Sequence, residues 1–331
     1  MKLTDLDDAK TKLLSGDVVA IPTETVYGLG GWIYSDAGLK KIFSTKERPF
    51  FDPLIVHIDS MAKAKLLTSQ WTEIHEALAL AAWPGPLTLI AKKHSSVNPL
   101  ITSGLDSVGL RCPRHEITLK LLSEIEGGVA APSANKFGKT SPTTSKHVFE
   151  EFGESVSILE GGPSEVGIES TVVGIHKIDS QTVVEIYRPG FYTASMLEKI
   201  LKNANLPAKV IYAASPVAPG QLKHHYMPKI PLVIVPDDFN WDKSHGLIEE
   251  KLGMTFKNPK LWTLSQNPTL ASRELYENLR SFDQEGFDIS LTSKIEYHHS
   301  EDWLGIWNRL EKAKTLSLER EEVRPKLSDD K

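Results

Sequence analysis

The chain is poor in cysteine, in long apolar runs and in charge of one sign, and each shortage removes a class of protein. The single Cys112 excludes an internal disulfide and fits a reducing, cytoplasmic setting. The longest purely apolar run, Ala77 to Trp83, is far too short to span a bilayer. Asp5, Asp7 and Asp8 stand where a leader would need a cationic stretch and an apolar core, so no secretory signal is expected. A net charge of −5 argues against a broad nucleic-acid-binding face, leaving room only for a local basic patch. Internal repeats, low-complexity tracts and His/Cys clusters at metal-ligand spacing are missing too. His224 and His225 are adjacent and point apart in extended chain, which is poor ligand geometry.

What is present is an ordinary globular composition, 40% hydrophobic and 24% charged, in 331 residues, long enough for two cores. Thr4 is placed to cap a first helix bearing Leu6, Ala9, Leu13 and Leu14. Val18 to Ile21 reads as a short buried strand, stopped by Pro22 and followed by a turn with glycines at 28, 30 and 31. Asp36, Ser60, Thr72 and Thr193 are further helix starts. Strands are expected at 54–58, 87–91, 108–111, 129–131, 171–175 and 182–187, the last two as a hairpin, and a helix at 116–126. Strands interleaved with helices predict an α/β domain, a mixed, twisted open sheet with flanking helices, over residues 1–205. Residues 206–231 are proline-rich with little apolar period and read as a semi-extended linker, unusual in carrying Lys223-His-His-Tyr226. Strands at 232–235, 261–264 and 289–291 alternate with helical stretches at 243–252, 269–282 and 302–316. This spacing predicts a small parallel βαβ sheet over 232–320, with a charged tail at 321–331.

The chemistry-bearing residues are cations and hydroxyls. Lys46 and Arg48 lie in a loop bounded by prolines, suited either to gripping phosphates or simply to solvation. His57 sits inside an apolar strand, where a satisfied core histidine and a site residue are both compatible with the pattern. Gly138-Lys-Thr140 mimics the end of a phosphate-binding P-loop, but Ser133 stands where that motif needs glycine, so the P-loop reading fails. A hydroxyl-rich anion-binding loop is what remains. Arg111 and Arg188 end strands, and an arginine there needs an anion to offset its desolvation. Gly167-Ile-Glu-Ser-Thr171 offers a carboxylate and two hydroxyls, or just a turn. Without an evident protein nucleophile, the inventory suits a bound nucleotide attacked by another substrate.

Several of these segments together resemble a known family. Pro22-Thr-Glu-Thr-Val-Tyr-Gly-Leu-Gly30, Lys46-Glu-Arg-Pro49, Pro53-Leu-Ile-Val-His-Ile58, Trp83-Pro-Gly-Pro-Leu-Thr88, Ala131-Pro-Ser-Ala-Asn135, Ser141-Pro-Thr143, Glu169-Ser-Thr-Val-Val173 and Arg188-Pro-Gly190 are similar, in order, to the YrdC-type threonylcarbamoyl-adenylate synthases. More loosely, Pro219-Gly-Gln-Leu-Lys-His-His-Tyr226-Met-Pro228, Leu275-Tyr-Glu-Asn-Leu-Arg280 and Asn308-Arg-Leu-Glu-Lys-Ala313 resemble the two-domain form, with a Rossmann-like C-terminal domain. The resemblance implies that L-threonine, bicarbonate and ATP give threonylcarbamoyl-AMP and pyrophosphate with Mg²⁺ assisting. A separate tRNA threonylcarbamoyl-transferase complex would then use the product. It would place threonine against Thr25, His57, Arg111, Ala131 and Ser170, and ATP along Arg48, Asp52, Ser107, Ser133, Ser141, Arg188 and Tyr226, with Lys46 and Arg48 catalytic. Asp52 stands where the family usually has asparagine, and Phe50, Phe51 and Phe137 are bulkier or more apolar than the usual residues. An alternative of another class is an RNA-binding module using the same basic crevice for tRNA or a double-stranded segment, whose affinity would fall steeply with salt.

Overall fold

A computed structural model describes residues 1–214 and 225–323. Lys223 and His224, and the charged tail beyond Val323, lie outside the described residues. The N-terminal domain is built on a mixed 12-stranded sheet whose middle runs Val19–Ile21, Gly28–Trp32, Val129–Ala130, Ile55–His57, Ser107–Arg111, Leu87–Lys93, Thr171–Ile178 and Gln181–Arg188. Its central strands are mostly buried, with apolar residues such as Val56, Leu89 and Leu110 interrupted by His57, Thr88 and Arg111. Val18, Ala20, Leu29, Val56 and Leu110 form one core with Leu39, Ile42 and Phe43 of the Asp36–Lys46 helix. Ser60, Thr72, Thr144 and Thr193 each accept a backbone N–H at a helix start. At the first two helices the caps are Asp5 and Ser35 rather than Thr4 and Asp36. Thr4 is drawn instead into a two-residue edge strand beside Ser157–Leu159.

The larger correction concerns Gly28–Trp32, which is a strand and not a turn. It pairs antiparallel with both Val19–Ile21 and Val129–Ala130. Its glycines answer crowding rather than backbone conformation. A Cβ on Gly30 would come 2.8 Å from Val129 Cγ1, and one on Gly31 would come 2.9 Å from Ile42 Cδ1. The turn proper is the polar segment before it, Thr23 to Val26. Lys209–Tyr212, inside the stretch read as linker, is a further strand, parallel to Gln181–Arg188, because Val210 completes an apolar cluster with Val184 and Leu197.

The C-terminal domain has four parallel strands in the order Pro259–Leu261, Ile289–Ser293, Leu232–Val235, Leu316–Ser317. The second strand starts before the expected 261–264. The helix expected at 302–316 spans Leu304–Ala313, shorter because the chain turns at Lys314 into the edge strand, and a short helix at Arg320–Val323 follows. The domains share a core, in which Val26, Val166 and Ile168 pack with Tyr276, Trp303, Ile306 and Leu310. At this seam Gly305 approaches Gly190 so closely that a Cβ on Gly305 would lie 3.1 Å from the Gly190 Cα. Among the described residues no helix is long and apolar enough to cross a membrane.

Candidate active site

One cavity gathers residues from six segments of the first domain and from the chain just before the second. Its first wall begins with the Thr23–Val26 turn. The Thr23 hydroxyl donates to the Val26 carbonyl (2.6 Å) and accepts the Thr25 and Val26 N–H groups (3.3 Å each), which locks the turn and presents Thr25. Arg111, opposite His57 in the strand register, donates from Nη1 to Thr25 Oγ1 at 2.8 Å and from Nε to the Gly85 carbonyl at 3.4 Å. Its Nη2 lies 2.7 Å from Glu24 Oε2, at ion-pair distance but out of line for a hydrogen bond. Burial, reinforced by Arg111, pushes the His57 imidazole down to about 3, so the ring is neutral, and its Nδ1 has no hydrogen-bond partner among the described residues. Ala131 and Ser170 complete this wall, Ser170 sharing a 2.8 Å hydrogen bond with Thr88. Thr25, His57, Arg111, Ala131 and Ser170 thus stand together. Glu24 was missed, and the signal for it was Arg111 itself, since a buried arginine calls for a counter-charge.

The opposite wall differs from its sequence reading in several places. Arg48, Ser133, Arg188 and Tyr226 line the cavity. Lys46 does not: its buried Nζ donates to the Ser133 carbonyl (2.5 Å) and to the Asn135 carbonyl. Burial, with Arg48 nearby, drives that ammonium well below the ordinary lysine range. Lys46 therefore tethers the loop that bears Ser133. Asp52 lies 2.8 Å from Arg48 Nη2 and serves as its counter-ion, with burial raising its pKa against the pull of Arg48. Ser107 lines a neighbouring, mostly apolar slot with Leu105, Gly109 and Tyr187, joined to the main cavity through the shared Pro53 and Ile55. Ser141 is not in the lining; it stands behind Glu169, which is, and donates to its Oε1 at 2.5 Å. Arg188 donates to the Ser170 carbonyl (3.0 Å) and hydroxyl (3.1 Å), so the two walls meet there.

Tyr226 holds a left-handed backbone (φ +67°), and its ring centroid lies 4.2 Å from that of His225 and 5.8 Å from that of Tyr276. Burial and the nearby Glu169 push its phenol up to about 12. His225 also lines the cavity, whereas the sequence reading marked only Tyr226 in that stretch. The Glu169 carboxylate, read from the sequence as a site group or part of a turn, lines the cavity, but sequence reasoning missed its C-terminal partners, Tyr276 and Arg309. Both partners occur in the two helical segments matched only loosely above. Among the described residues no group of three or more His, Cys, Asp or Glu could by itself hold a metal.

Residues 11–190 match the family model described as telomere recombination (Sua5/YciO/YrdC), and residues 192–315 match the threonylcarbamoyl-AMP synthase C-terminal domain. A threonylcarbamoyl-AMP synthase from Pyrococcus abyssi is 37% identical, over 90% of this chain and 90% of its own. One from Bacillus subtilis is 34% identical over 92% and 91%. The crystal structure of Pyrococcus abyssi Sua5 complexed with L-threonine superposes with a TM-score of 0.79 at 33% identity, covering 95% of this chain and 96% of that one. Two matched domains in one chain, relatives similar over nearly its full length and a shared two-domain architecture agree: the chain belongs to the threonylcarbamoyl-AMP synthases, in their two-domain Sua5 form.

Proposed function

We propose that the protein condenses L-threonine, bicarbonate and ATP into threonylcarbamoyl-AMP, releasing pyrophosphate, as the first step of threonylcarbamoyladenosine formation in tRNA. The observation that carries this reading is the convergence of Arg48, Arg111 and Arg188 on one cavity whose first wall offers Thr25 and a neutral His57. These arginines are buried around a cleft rather than spread over an open face, which suits small anions and not a duplex. Arg111 suits the amino-acid carboxylate, and His57 suits a proton-bearing group of threonine through its unpartnered Nδ1. A wall built to hydrogen-bond a substrate hydroxyl strongly rejects analogues that lack it.

The neutral threonine amine adds to the bicarbonate carbon as a C–O bond breaks and water leaves, giving the carbamate. A carbamate oxygen then attacks the α-phosphorus as the bond to pyrophosphate breaks. Arg48 and Arg188 offset the phosphate charge, and holding the carbamate against the phosphorus supplies much of the rate. The slot beside Ser107 has the apolar lining that a nucleotide base needs. Mg²⁺ needs only one or two carboxylates when it is bound through substrate phosphates. Asp52 would supply one, its Oδ2 making no hydrogen bond although Arg48 Nη2 stands 2.8 Å away as its ion-pair partner. When bound it would neutralise charge on the leaving pyrophosphate. We assign the reaction to the cytoplasm, in keeping with the single buried cysteine, and the labile product to a separate tRNA-modifying complex.

The deciding measurement is pyrophosphate release. Threonine, bicarbonate and ATP are expected to be required together. Release with ATP alone, or with serine as readily as with threonine, would overturn the assignment.

A further inference from the structure

Arg309 is wholly buried on the Leu304–Ala313 helix of the C-terminal domain, yet its bonds reach into the N-terminal one. Nε donates to Glu169 Oε2 at 3.0 Å and Nη2 to the Glu169 carbonyl at 3.1 Å. Nη1 donates to the Pro189 carbonyl and, at 3.0 Å, to the Gly305 carbonyl of its own helix. Glu169 immediately precedes Ser170, and Pro189 immediately follows Arg188. One guanidinium from the second domain therefore grips both segments that deliver Ser170 and Arg188 to the cavity, and those two residues are bonded to each other. The remaining capacity of the Glu169 carboxylate is filled by Ser141 (2.5 Å) and by the Tyr276 hydroxyl (3.2 and 3.0 Å).

Adhesion between domains does not require this arrangement. The seam already has a continuous apolar core, and a buried ion pair is often replaced by apolar residues without loss of stability. Nor is Glu169 arranged as a base, because its oxygens are occupied by donors. We propose that Arg309 is a positioning residue of the reaction: through Glu169 and Pro189, the C-terminal domain sets Ser170 and Arg188 in the cleft. The inference rests on the activity proposed above.

The charged and titratable groups facing Glu169 come from every element around it. They are Arg309 and Lys312 on one helix, Tyr276 on another, Arg188 at its strand end, Lys46, and the His225–Tyr226 segment. Burial works against the charged carboxylate, but Arg309 foremost, with Arg188 and Ser141, outweighs it and holds the group down at about 2. Removing Arg309 should let Glu169 titrate upward.

The test follows threonine-dependent pyrophosphate release by the full-length chain against pH. Arg309→Met is expected to lower kcat by about 100-fold, the scale of a misplaced site, and to add an acid-side fall that the unsubstituted protein lacks. Adding Glu169→Gln to Arg309→Met should abolish that acid limb and recover about tenfold, because no uncompensated charge remains. Arg309→Lys keeps the charge but not the fork, so kcat should be intermediate with an unaltered pH profile. If Arg309→Met does not fold, Tyr276→Phe carries the same test, with a smaller loss and the same acid-side shift. A variant whose activity merely tracks its folded fraction, with an unchanged pH profile, would reduce Arg309 to an interface contact and overturn the inference. No threonine-dependent release by the unsubstituted protein would instead sink the activity itself.

Discussion

Of the three buried ion pairs that flank the cleft, Arg309–Glu169 and Arg111–Glu24 are satisfied to different degrees. Arg309 and Glu169 meet across the domain seam, and Ser141 and Tyr276 fill the remaining capacity of the carboxylate. Arg111 and Glu24 both belong to the first domain. There, neither carboxylate oxygen of Glu24 nor Nη2 of Arg111 has an in-line hydrogen bond among the described residues. A saturated buried pair can only hold its surroundings, whereas an unsaturated one keeps donors and acceptors for a ligand. The first pair is therefore frame and the second is site. Arg111 and Glu24 lie on the wall assigned to threonine; on the phosphate wall Arg48 and Asp52 form a second pair with an unpartnered oxygen, Asp52 Oδ2.

The largest effect is expected from Arg111→Ala. Glu24 would be left buried without its counter-charge, at a cost of about 3–5 kcal/mol in unfolding free energy. The KM for threonine should rise well beyond that for ATP. Adding Glu24→Gln should restore most of the stability, read from denaturant melts, without restoring threonine affinity. Equal losses in threonine and ATP affinity would break the distinction between the two pairs and make Arg111 frame as well.

Lys46→Met sharpens the same contrast on the phosphate wall. Taken from the sequence alone, Lys46 grips phosphate, and its loss would abolish turnover while leaving the melt untouched. In the structure its ammonium is spent on the carbonyls of Ser133 and Asn135. Replacement should therefore destabilise the chain by about 2–3 kcal/mol, the worth of charge-assisted bonds whose acceptors are left unmade. The KM for ATP should rise with little change in that for threonine. Unaltered stability together with lost turnover would return Lys46 to the phosphate.

These differences mark where the sequence was legible. Thr25, His57, Arg111, Ala131 and Ser170 were named through the family resemblance, and the structure gathers them because the motifs that carry them lie on or beside neighbouring strands. The sheet was legible as an α/β type from its alternation, but Gly28–Trp32 was not, since glycines selected by the nearness of Val129 and Ile42 look the same as glycines selected by a turn. Lys46, Ser141 and Asp52 were recognisable as polar groups near a site. Whether each faces ligand or protein depends on carbonyls and carboxylates distant in sequence, such as Asn135 for Lys46 and Glu169 for Ser141. Arg309 is 140 residues from Glu169, and nothing local in Asn308-Arg-Leu-Glu-Lys-Ala313 distinguishes a helix-surface arginine from one plugged into another domain.

A smaller effect distinguishes the histidines near the cleft from its frame. His57 and His225 are each pushed by burial to about 3, below the ordinary 6.5. A histidine depressed in the folded state contributes stability that is fully present above pH 6.5 and is lost as the pH falls toward 3, because the unfolded chain binds the proton first. At pH 5 each should have cost up to about 2 kcal/mol. Glu169, held at about 2, behaves differently: its contribution is complete above the ordinary glutamate range and begins to fall only below it. Between pH 6.5 and pH 5 the loss therefore belongs to histidines, while Glu169 takes part only at lower pH. Urea midpoints at pH 7 and pH 5 should show His57→Asn and His225→Asn each flattening that drop by part of its size, while Glu169→Gln leaves its slope unchanged. A slope unmoved by either histidine substitution would mean that the imidazoles already carry protons in the folded cleft, and the neutral His57 assigned to threonine would fall with it.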